Sequence, residues 1–109
     1  MATFEIVIEK SPLDKRSPSD IDESIAYIAN YALEDADLVK WHIHKKCGDC
    51  VKVAVDPNYH KIENGRTSFY INIDFSDDAV IKIASKIIKD FAAEIDRCFT
   101  ADTHVNCDI

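Results

Sequence analysis

The sequence predicts an α/β protein of the α+β type, a two-layer sandwich in which two helices cover one face of a four-stranded, mostly antiparallel sheet. Three observations predict this fold. Apolar residues alternate with polar ones in four segments, and they recur at helical spacing in two longer segments. The chain of 109 residues holds only two glycines and three prolines, which favours long regular elements. The predicted order is β-α-β-β-β-α, in a single domain spanning residues 1–109.

The first strand and the first helix follow from the opening of the chain. The side chains of Phe4, Ile6 and Ile8 would share one face of a strand. Ser17 is suited to cap a helix that has Pro18 at its first position. The core-facing stripe of this helix comprises apolar residues at helical spacing: Ile21, Ile25, Ile28, Ala29 and Ala32.

A change from helical to alternating spacing predicts a second strand in residues 38–46. Val39, Trp41 and Ile43 would share its apolar face. The other face of the sheet would be polar, and it would be either exposed to solvent or a binding surface. Its side chains would include Lys40, His42, His44, Lys52, Tyr70 and Asn72.

The rest of the chain predicts two more strands and a second helix. Residues 51–55 and 68–75 alternate in the same way, and Asn64-Gly65 is a turn signal between them, so the strands would form an antiparallel meander. The tail, residues 100–109, shows no apolar pattern and is predicted to be loosely ordered. The second helix would bury a long apolar stripe: Val80, Ile83, Ala84, Ile87, Ile88, Phe91, Ala92 and Ile95.

Composition and charge narrow the functional classes. The net charge of −7 disfavours direct binding of nucleic acid, whose phosphates require a basic surface. The chain opens without the basic and apolar stretches of a signal peptide, and no apolar run is long enough to cross a bilayer. We therefore expect a cytoplasmic protein with reduced cysteines and no membrane partner. Two glycines cannot build a glycine-rich phosphate loop, and no nucleophile motif is present, so we expect no enzyme.

The negative charge is concentrated in one segment. Residues 17–37 carry six acidic residues and no Lys or Arg, a charge of −6, whereas residues 38–52 carry four lysines against one aspartate, a charge of +3. Glu34, Asp35 and Asp37 would lie at the C-terminal end of the first helix, where negative charge costs about 0.3–1 kcal/mol each. Either these side chains serve a partner outside the chain, or they have already left the helix and are solvated.

These features predict a small acidic protein-binding inhibitor, of the type exemplified by immunity proteins and other antagonists. Its acidic helix would cover a basic site on a protein partner such as a nuclease, because opposite charges speed association and central aromatic residues supply affinity. Tyr27 and Tyr31 are four residues apart and lie off the core stripe. They also fit a simpler interpretation, which is packing over a neighbouring loop. The predicted partner-binding residues are Asp22, Glu23, Tyr27, Tyr31, Glu34, Asp35 and Asp37.

The alternative hypothesis is a zinc-binding structural or interaction domain. Cys47 and Cys50 form a C-x-x-C pair, and His104 and Cys107 could complete a tetrahedral set of four ligands. Unliganded thiols are the other interpretation of the same residues, since single C-x-x-C pairs arise readily by chance.

Two further candidates remain open at this level. His42 and His44, two apart on the predicted strand, could bind a metal ion or simply belong to a solvated polar face. A small enzyme or ligand-binding protein could instead use the polar sheet face around Tyr70 and Asn72. A deep pocket lined by titratable groups would favour that third class.

Overall fold

The computed structural model describes residues 1–108 as two helices and one four-stranded sheet, which confirms the predicted α+β class. Neighbouring strands are all antiparallel, in the order β2-β3-β1-β4. The observed sequence of elements, β-α-β-β-α-β, is the split βαβ or ferredoxin-like arrangement. The elements are β1 (Ala2–Lys10), α1 (Pro18–Cys47), β2 (Lys52–Val55), β3 (Arg66–Asp74), α2 (Asp78–Cys98) and β4 (Ala101–Asp108).

The strand predicted for residues 38–46 is wrong, because these residues continue α1. Val39 and Ile43 are buried in the helix, and their four-residue spacing satisfies a helix as well as a strand. Trp41 separates the two possibilities, since a helix turns it away from the core, and its side chain is 54% exposed. The helix ends only at Gly48, which has a φ of 80° and donates its N–H to the His44 carbonyl.

The loosely ordered tail predicted for residues 100–109 is also wrong where the structure describes it. Residues 101–108 form β4, which pairs along its length with β1. Ala101 and Thr103 are buried and Val105 is half-buried, so alternate residues face the helices. The pattern was weak in the sequence because a threonine and a cysteine occupy inward positions. Ile109 lies outside the described residues.

The core lies between the helices and one face of the sheet. The register pairs Phe4 with Ile71 and Ile6 with Phe69, and all four side chains are fully buried toward the helices. This confirms the predicted apolar faces of the first strand and of residues 68–75. Each such side chain contributes about 1.5–3 kcal/mol on burial. None of the helices in residues 1–108 combines the length and apolar composition needed to cross a bilayer.

A tight turn immediately before β3 packs against the start of α1. Asn64 and Gly65 both have positive φ, 55° and 68°, and Glu63 and Arg66 exchange backbone hydrogen bonds across them, as in a two-residue Asn-Gly hairpin. A Cβ atom on Gly65 would lie 2.8 Å from the Ile21 side chain of α1. The turn predicted at this dipeptide is therefore present, and its glycine permits the close approach of the helix.

Candidate protein-binding surface

The outer face of α1 is the candidate interface. Because an α-helix turns by about 100° per residue, the buried stripe that ends at Ile43 leaves the opposite side in solvent. Large apolar side chains are nevertheless present there: Tyr27 is 67% exposed, Leu38 56% and Trp41 54%. Together with Tyr31, 38% exposed, they supply four of the seven exposed large hydrophobic residues found in the described chain. We call this surface, comprising Glu23, Tyr27, Tyr31, Glu34, Asp37, Leu38 and Trp41, the outer face of α1.

The two tyrosines are held by a neighbouring aromatic residue. Both rings meet Phe99 edge-on, with centroid distances of 6.0 Å for Tyr27 and 5.1 Å for Tyr31. Phe99 is itself fixed where α2 ends, because its N–H bonds the Ile95 carbonyl. The simpler interpretation, packing over a neighbouring segment, is thus part of their role. The exposed portions of both rings remain available as rigid contact area.

The carboxylate of Asp35 lies close to the Tyr31 hydroxyl. Its negative charge disfavours the phenolate and raises the pKa of Tyr31 above its ordinary value, and partial burial and a hydrogen bond with Asp35 act in the same direction. Tyr31 and Asp35 therefore form a local polar pair beside the aromatic contact with Phe99.

Trp41 and Leu38 are surface residues that the sequence reasoning missed. The strand predicted for residues 38–46 placed Trp41 on a core face, whereas the helix exposes it one turn beyond Leu38. The His42 ring meets the indole edge-on at 5.0 Å, and the Lys45 ammonium lies 4.7 Å from the ring centroid in a cation–π contact. A helical stripe extended through Ala36, Val39 and Ile43 is the signal that would have found both residues.

Three of the predicted acidic residues lie on this face. Glu23, Glu34 and Asp37 are exposed, and Asp35 is half-buried beside α2. In residues 1–108 no Lys, Arg or His nitrogen lies within 4.0 Å of any acidic side chain of α1 up to Asp37. Within the described residues, these carboxylates therefore form no ion pair with a basic side chain.

The longer helix removes one argument for a partner. Asp37 lies about three turns before the end of α1 at Cys47, and the helix dipole acts mainly within the last turn. Glu34, Asp35 and Asp37 therefore do not oppose the dipole of their own helix. His44, Lys45 and Lys46 occupy the last turn, where positive charge is favourable. The case for a partner rests instead on exposed apolar area next to unpaired carboxylates.

Asp22 lies apart from the other predicted binding residues. Its Oδ1 accepts a hydrogen bond from the backbone N–H of Gly65 at 3.0 Å, and its side chain is half-buried on the flank of the helix. This contact joins α1 to the turn before β3, 43 residues along the chain. Asp22 is thus engaged inside the molecule.

A groove between α1 and α2 adjoins the outer face of α1. It encloses about 370 Å³, and its apolar floor is formed by Leu38, Ile87 and Phe91. Carboxylates lie along it, with His42 and Lys46 toward the C-terminal end of α1. The lining comprises Asp35, Leu38, Val39, His42, Lys46, Ile87, Asp90, Phe91 and Glu94.

The four candidate zinc ligands do not converge within residues 1–108. His104 and Cys107 point to opposite sides of β4: His104 lies 3.7 Å from Glu9, and Cys107 borders α2. Cys47 and Cys50 lie in a different part of the molecule, at the C-terminal end of α1, where the Cys50 thiol donates to the Cys47 carbonyl. Within residues 1–108 no three His, Cys, Asp or Glu side chains are arranged to hold a metal ion.

The cysteine pair is also poorly activated as a nucleophile. Partial burial raises the pKa of the Cys47 thiol, and the neighbouring Cys50 adds to the effect. The C-terminal end of a helix disfavours the thiolate further, in contrast to the helix N-terminus that activates redox cysteines.

The predicted polar sheet face is present only in part and has different members, since Val7 and Ser68 on that face are buried. Lys40, His42 and His44 belong to α1, so the metal-binding strand pair predicted from the two histidines does not exist. Tyr70 does lie on the open face, where the His60 ring meets it edge-on at 5.0 Å. The Ser68 hydroxyl lies 3.3 Å from His60 Nδ1, but Ser68 is buried and does not present a nucleophile to a substrate.

Comparison with known proteins locates the fold. No protein-family model matches the chain, and no curated protein matches it by sequence. By structure it is similar to a hydantoinase/carbamoylase family amidase from Burkholderia ambifaria, with 11% identity and a TM-score of 0.66 over 99% of this chain and 27% of that one. The corresponding amidase from Burkholderia multivorans gives 18% identity and a TM-score of 0.63, again over 99% and 27%.

A designed protein completes the comparison. LFR1 1, a de novo protein with a ferredoxin fold, gives 13% identity and a TM-score of 0.52 over 100% of this chain and 87% of that one. The two amidases are much longer proteins, and this chain spans only about a quarter of their length. At these identities the likeness shows a shared ferredoxin-like fold and nothing of function.

Proposed function

We propose that this protein is a small acidic inhibitor that binds a protein partner through the outer face of α1 and covers a basic site on it, such as that of a nuclease. One observation carries the proposal. Tyr27, Leu38 and Trp41 are each more than half exposed on one helix face, between carboxylates that form no ion pair within residues 1–108. Interfaces of this composition gain affinity from aromatic anchors and specificity from complementary charge.

The anchors and the charges have separate roles. Trp41 and Tyr31 would be the centre of the interface, because their rings are already positioned by Lys45 and Phe99 and lose little freedom on binding. Glu34 and Asp37 lie between them in sequence and would attract a basic partner over distances of about 10 Å at moderate salt.

The groove between α1 and α2 extends the contact. An apolar side chain of the partner would enter between Leu38, Ile87 and Phe91, and a basic neighbour would meet Asp35. Asp90 already pairs with Lys86 at 3.1 Å in an exposed pair. Such pairs contribute about 0–1 kcal/mol, so they rearrange readily when a partner binds.

The proposed role of this domain is to bind a partner and not to catalyse a reaction. The amidase likeness covers the fold alone, and one fold serves many functions. We also propose a cytoplasmic setting. Its support is that Cys47, Cys50, Cys98 and Cys107 are all free thiols, the usual state in a reducing compartment.

Capture from lysate of the source cells at low and high salt tests the function. The tagged protein should retain a basic partner at low salt and lose it at high salt, because screening weakens charge attraction. With the captured partner purified, Trp41→Ala should raise the Kd about 30-fold, equivalent to about 2 kcal/mol at a hot spot.

A matched control separates the site from general surface effects. Leu13 is 83% exposed on the loop before α1, so Leu13→Ala should leave the Kd unchanged. Glu34→Gln with Asp37→Asn should slow association and flatten its salt dependence. An acidic partner, or a Kd that Trp41→Ala does not change, would refute the proposal.

A further inference from the structure

A second surface lies on the opposite side of the helical layer, at the edge of the sheet. Within the described sheet, β4 is an edge strand that pairs only with β1. It is eight residues long, whereas exposed edges in natural proteins are usually short or covered, since their free backbone groups invite another strand.

The backbone of β4 shows which groups are free. The Thr103 N–H bonds the Asp96 side chain of α2, so it points away from β1. In a strand, successive residues direct their N–H and C=O groups to alternate sides, so those of Val105 and Cys107 also face outward. The half of β4 from residue 104 to 108 is therefore the open part of the edge.

A basic groove lies beside this open half. It encloses about 550 Å³ between β4 and α2, and Cys107 borders it. Lys82, Lys86 and Lys89 contribute three positive charges, and Asp90, paired with Lys86 at 3.1 Å, contributes one negative charge. This local surplus of positive charge stands out in a protein with a net charge of −7.

The other side of β4 has the opposite character. Asp102, His104 and Asp108 point to the open face of the sheet by alternation, and His104 lies 3.7 Å from Glu9. A strand added to this edge would therefore meet lysines with one set of alternate side chains and carboxylates with the other.

We propose that the open half of β4 binds an extended segment of a protein partner as a fifth strand, with carboxylates at alternate positions that face Lys82, Lys86 and Lys89. Backbone hydrogen bonds to Val105 and Cys107 supply affinity, and the lysines select the acidic side chains. This site goes beyond the proposed function, because it lies away from the outer face of α1 and prefers the opposite charge.

A second copy of the chain fits this edge poorly. The side chains that β4 directs toward the helices are Ala101, Thr103, Val105 and Cys107, and they include no carboxylate for the lysines. Antiparallel self-pairing centred on Val105 would also place Asp102 opposite Asp108, and like charges directly opposite are unfavourable.

A synthetic strand tests the proposal on the whole protein. The probe is an acetylated and amidated peptide of five Glu-Thr repeats, which places all its carboxylates on one face when extended. It should bind with a Kd below about 1 mM, and the matched peptide of Lys-Thr repeats should not. The amide NMR signals that shift should be those of Val105, Cys107 and the middle of α2.

Peptide backbone methylation distinguishes strand addition from simple charge attraction. N-methylation of one alternate set of peptide amides should abolish binding, and methylation of the other set should leave it nearly unchanged, because an edge strand pairs through every second residue. Lys82→Gln and Lys89→Gln should each weaken binding about threefold, as for exposed ion pairs. Lys15→Gln, on the distant loop before α1, is the matched control and should change nothing.

Cys107→Pro removes one outward N–H at an edge position that tolerates proline, and it should abolish binding, whereas Cys107→Ala should not. Three results would each overturn the proposal: equal binding of the two peptides, equal sensitivity to both methylation patterns, or a dimer of the protein that occupies β4. Trp41→Ala should leave peptide binding unchanged, so the outcome is independent of the function proposed for α1.

Discussion

The two helices differ in how far local spacing determines them. The apolar residues of α2 recur as adjacent pairs, Ile83-Ala84, Ile87-Ile88 and Phe91-Ala92, and neighbouring residues share a face only in a helix. In the second half of α1 the buried residues are Ala36, Val39 and Ile43. The step of three from Ala36 to Val39 fits only a helix, but Val39, Trp41 and Ile43 alternate with polar residues as in a strand, so the spacing from Val39 onward does not discriminate.

This difference also changes the functional interpretation of α1. Because α1 is one helix of 30 residues, the acidic segment and most of the basic segment lie on the same helix. Trp41 then joins Tyr27 and Tyr31 on the same outer face. Had residues 38–46 formed a strand, the tryptophan would have been a core residue, and Tyr27 and Tyr31 alone would supply aromatic area on the outer face of α1.

The largest expected effect is on stability, and it tests whether residues 38–46 are helical with Trp41 exposed. Ile43→Ala should lower the free energy of unfolding by about 2–5 kcal/mol, as should Ile88→Ala in α2, because both side chains are fully buried. Trp41→Ala should cost only about 1 kcal/mol, since more than half of the side chain is exposed and the ring loses mainly its contacts with Lys45 and His42. Urea denaturation measures all three. A loss of unfolding free energy in Trp41→Ala as large as that in Ile43→Ala would show that the Trp41 side chain is buried in the core.

A smaller effect should show that α1 depends on a distant contact at its start. Asp22→Ala leaves the Gly65 N–H without its acceptor and should cost about 1–3 kcal/mol of unfolding free energy. Glu23→Ala, at the exposed neighbouring position, should cost less than about 0.5 kcal/mol. In contrast, the carboxylate of Asp77, the N-cap of α2, accepts a hydrogen bond from a local group, the Ala79 N–H two residues on. Equal losses of unfolding free energy in Asp22→Ala and Glu23→Ala would show that the hydrogen bond between Asp22 and Gly65 does not stabilise α1.

The smallest effect concerns the loop before α1 and its pH dependence. Hydrogen bonds from the Arg16 side chain and backbone lower the pKa of Asp14 to about 2. Because this folded-state pKa is below the unfolded value of about 3.9, the interaction favours the folded state above about pH 4 and is lost as the pH falls toward 2.

Carboxyl NMR titration measures this shift. Asp14 should titrate near 2 in the native protein and closer to its unfolded value in Arg16→Gln, where the guanidinium donors are gone and only the backbone N–H of residue 16 still donates. Lys15→Gln is the control, since it removes a neighbouring charge without removing those donors. An unchanged Asp14 midpoint in Arg16→Gln would show that the pair does not persist in solution.

Part of the candidate site was predictable from the sequence. Tyr27 and Tyr31 were identified because they lie off the apolar stripe of α1, and Glu34 and Asp37 because they belong to an acidic segment that contains no Lys or Arg. Leu38 and Trp41 were missed with the end of the helix. The partner of Asp22 could not be found locally, since it is a backbone group 43 residues away.

The sequence by itself determined the α+β class, the first strand, the start of α1 and the whole of α2, because capping residues and apolar periods are local properties of the chain. The tertiary structure decided between the helical and the alternating spacing, both of which residues 38–46 allow, and it placed residues 101–108 in the sheet. Both outcomes depend on burial against distant residues: Ile43 joins the shared core, and β4 gains backbone hydrogen bonds from β1. The spacing of apolar residues within a short segment does not indicate which strand, about a hundred residues away, will pair with it.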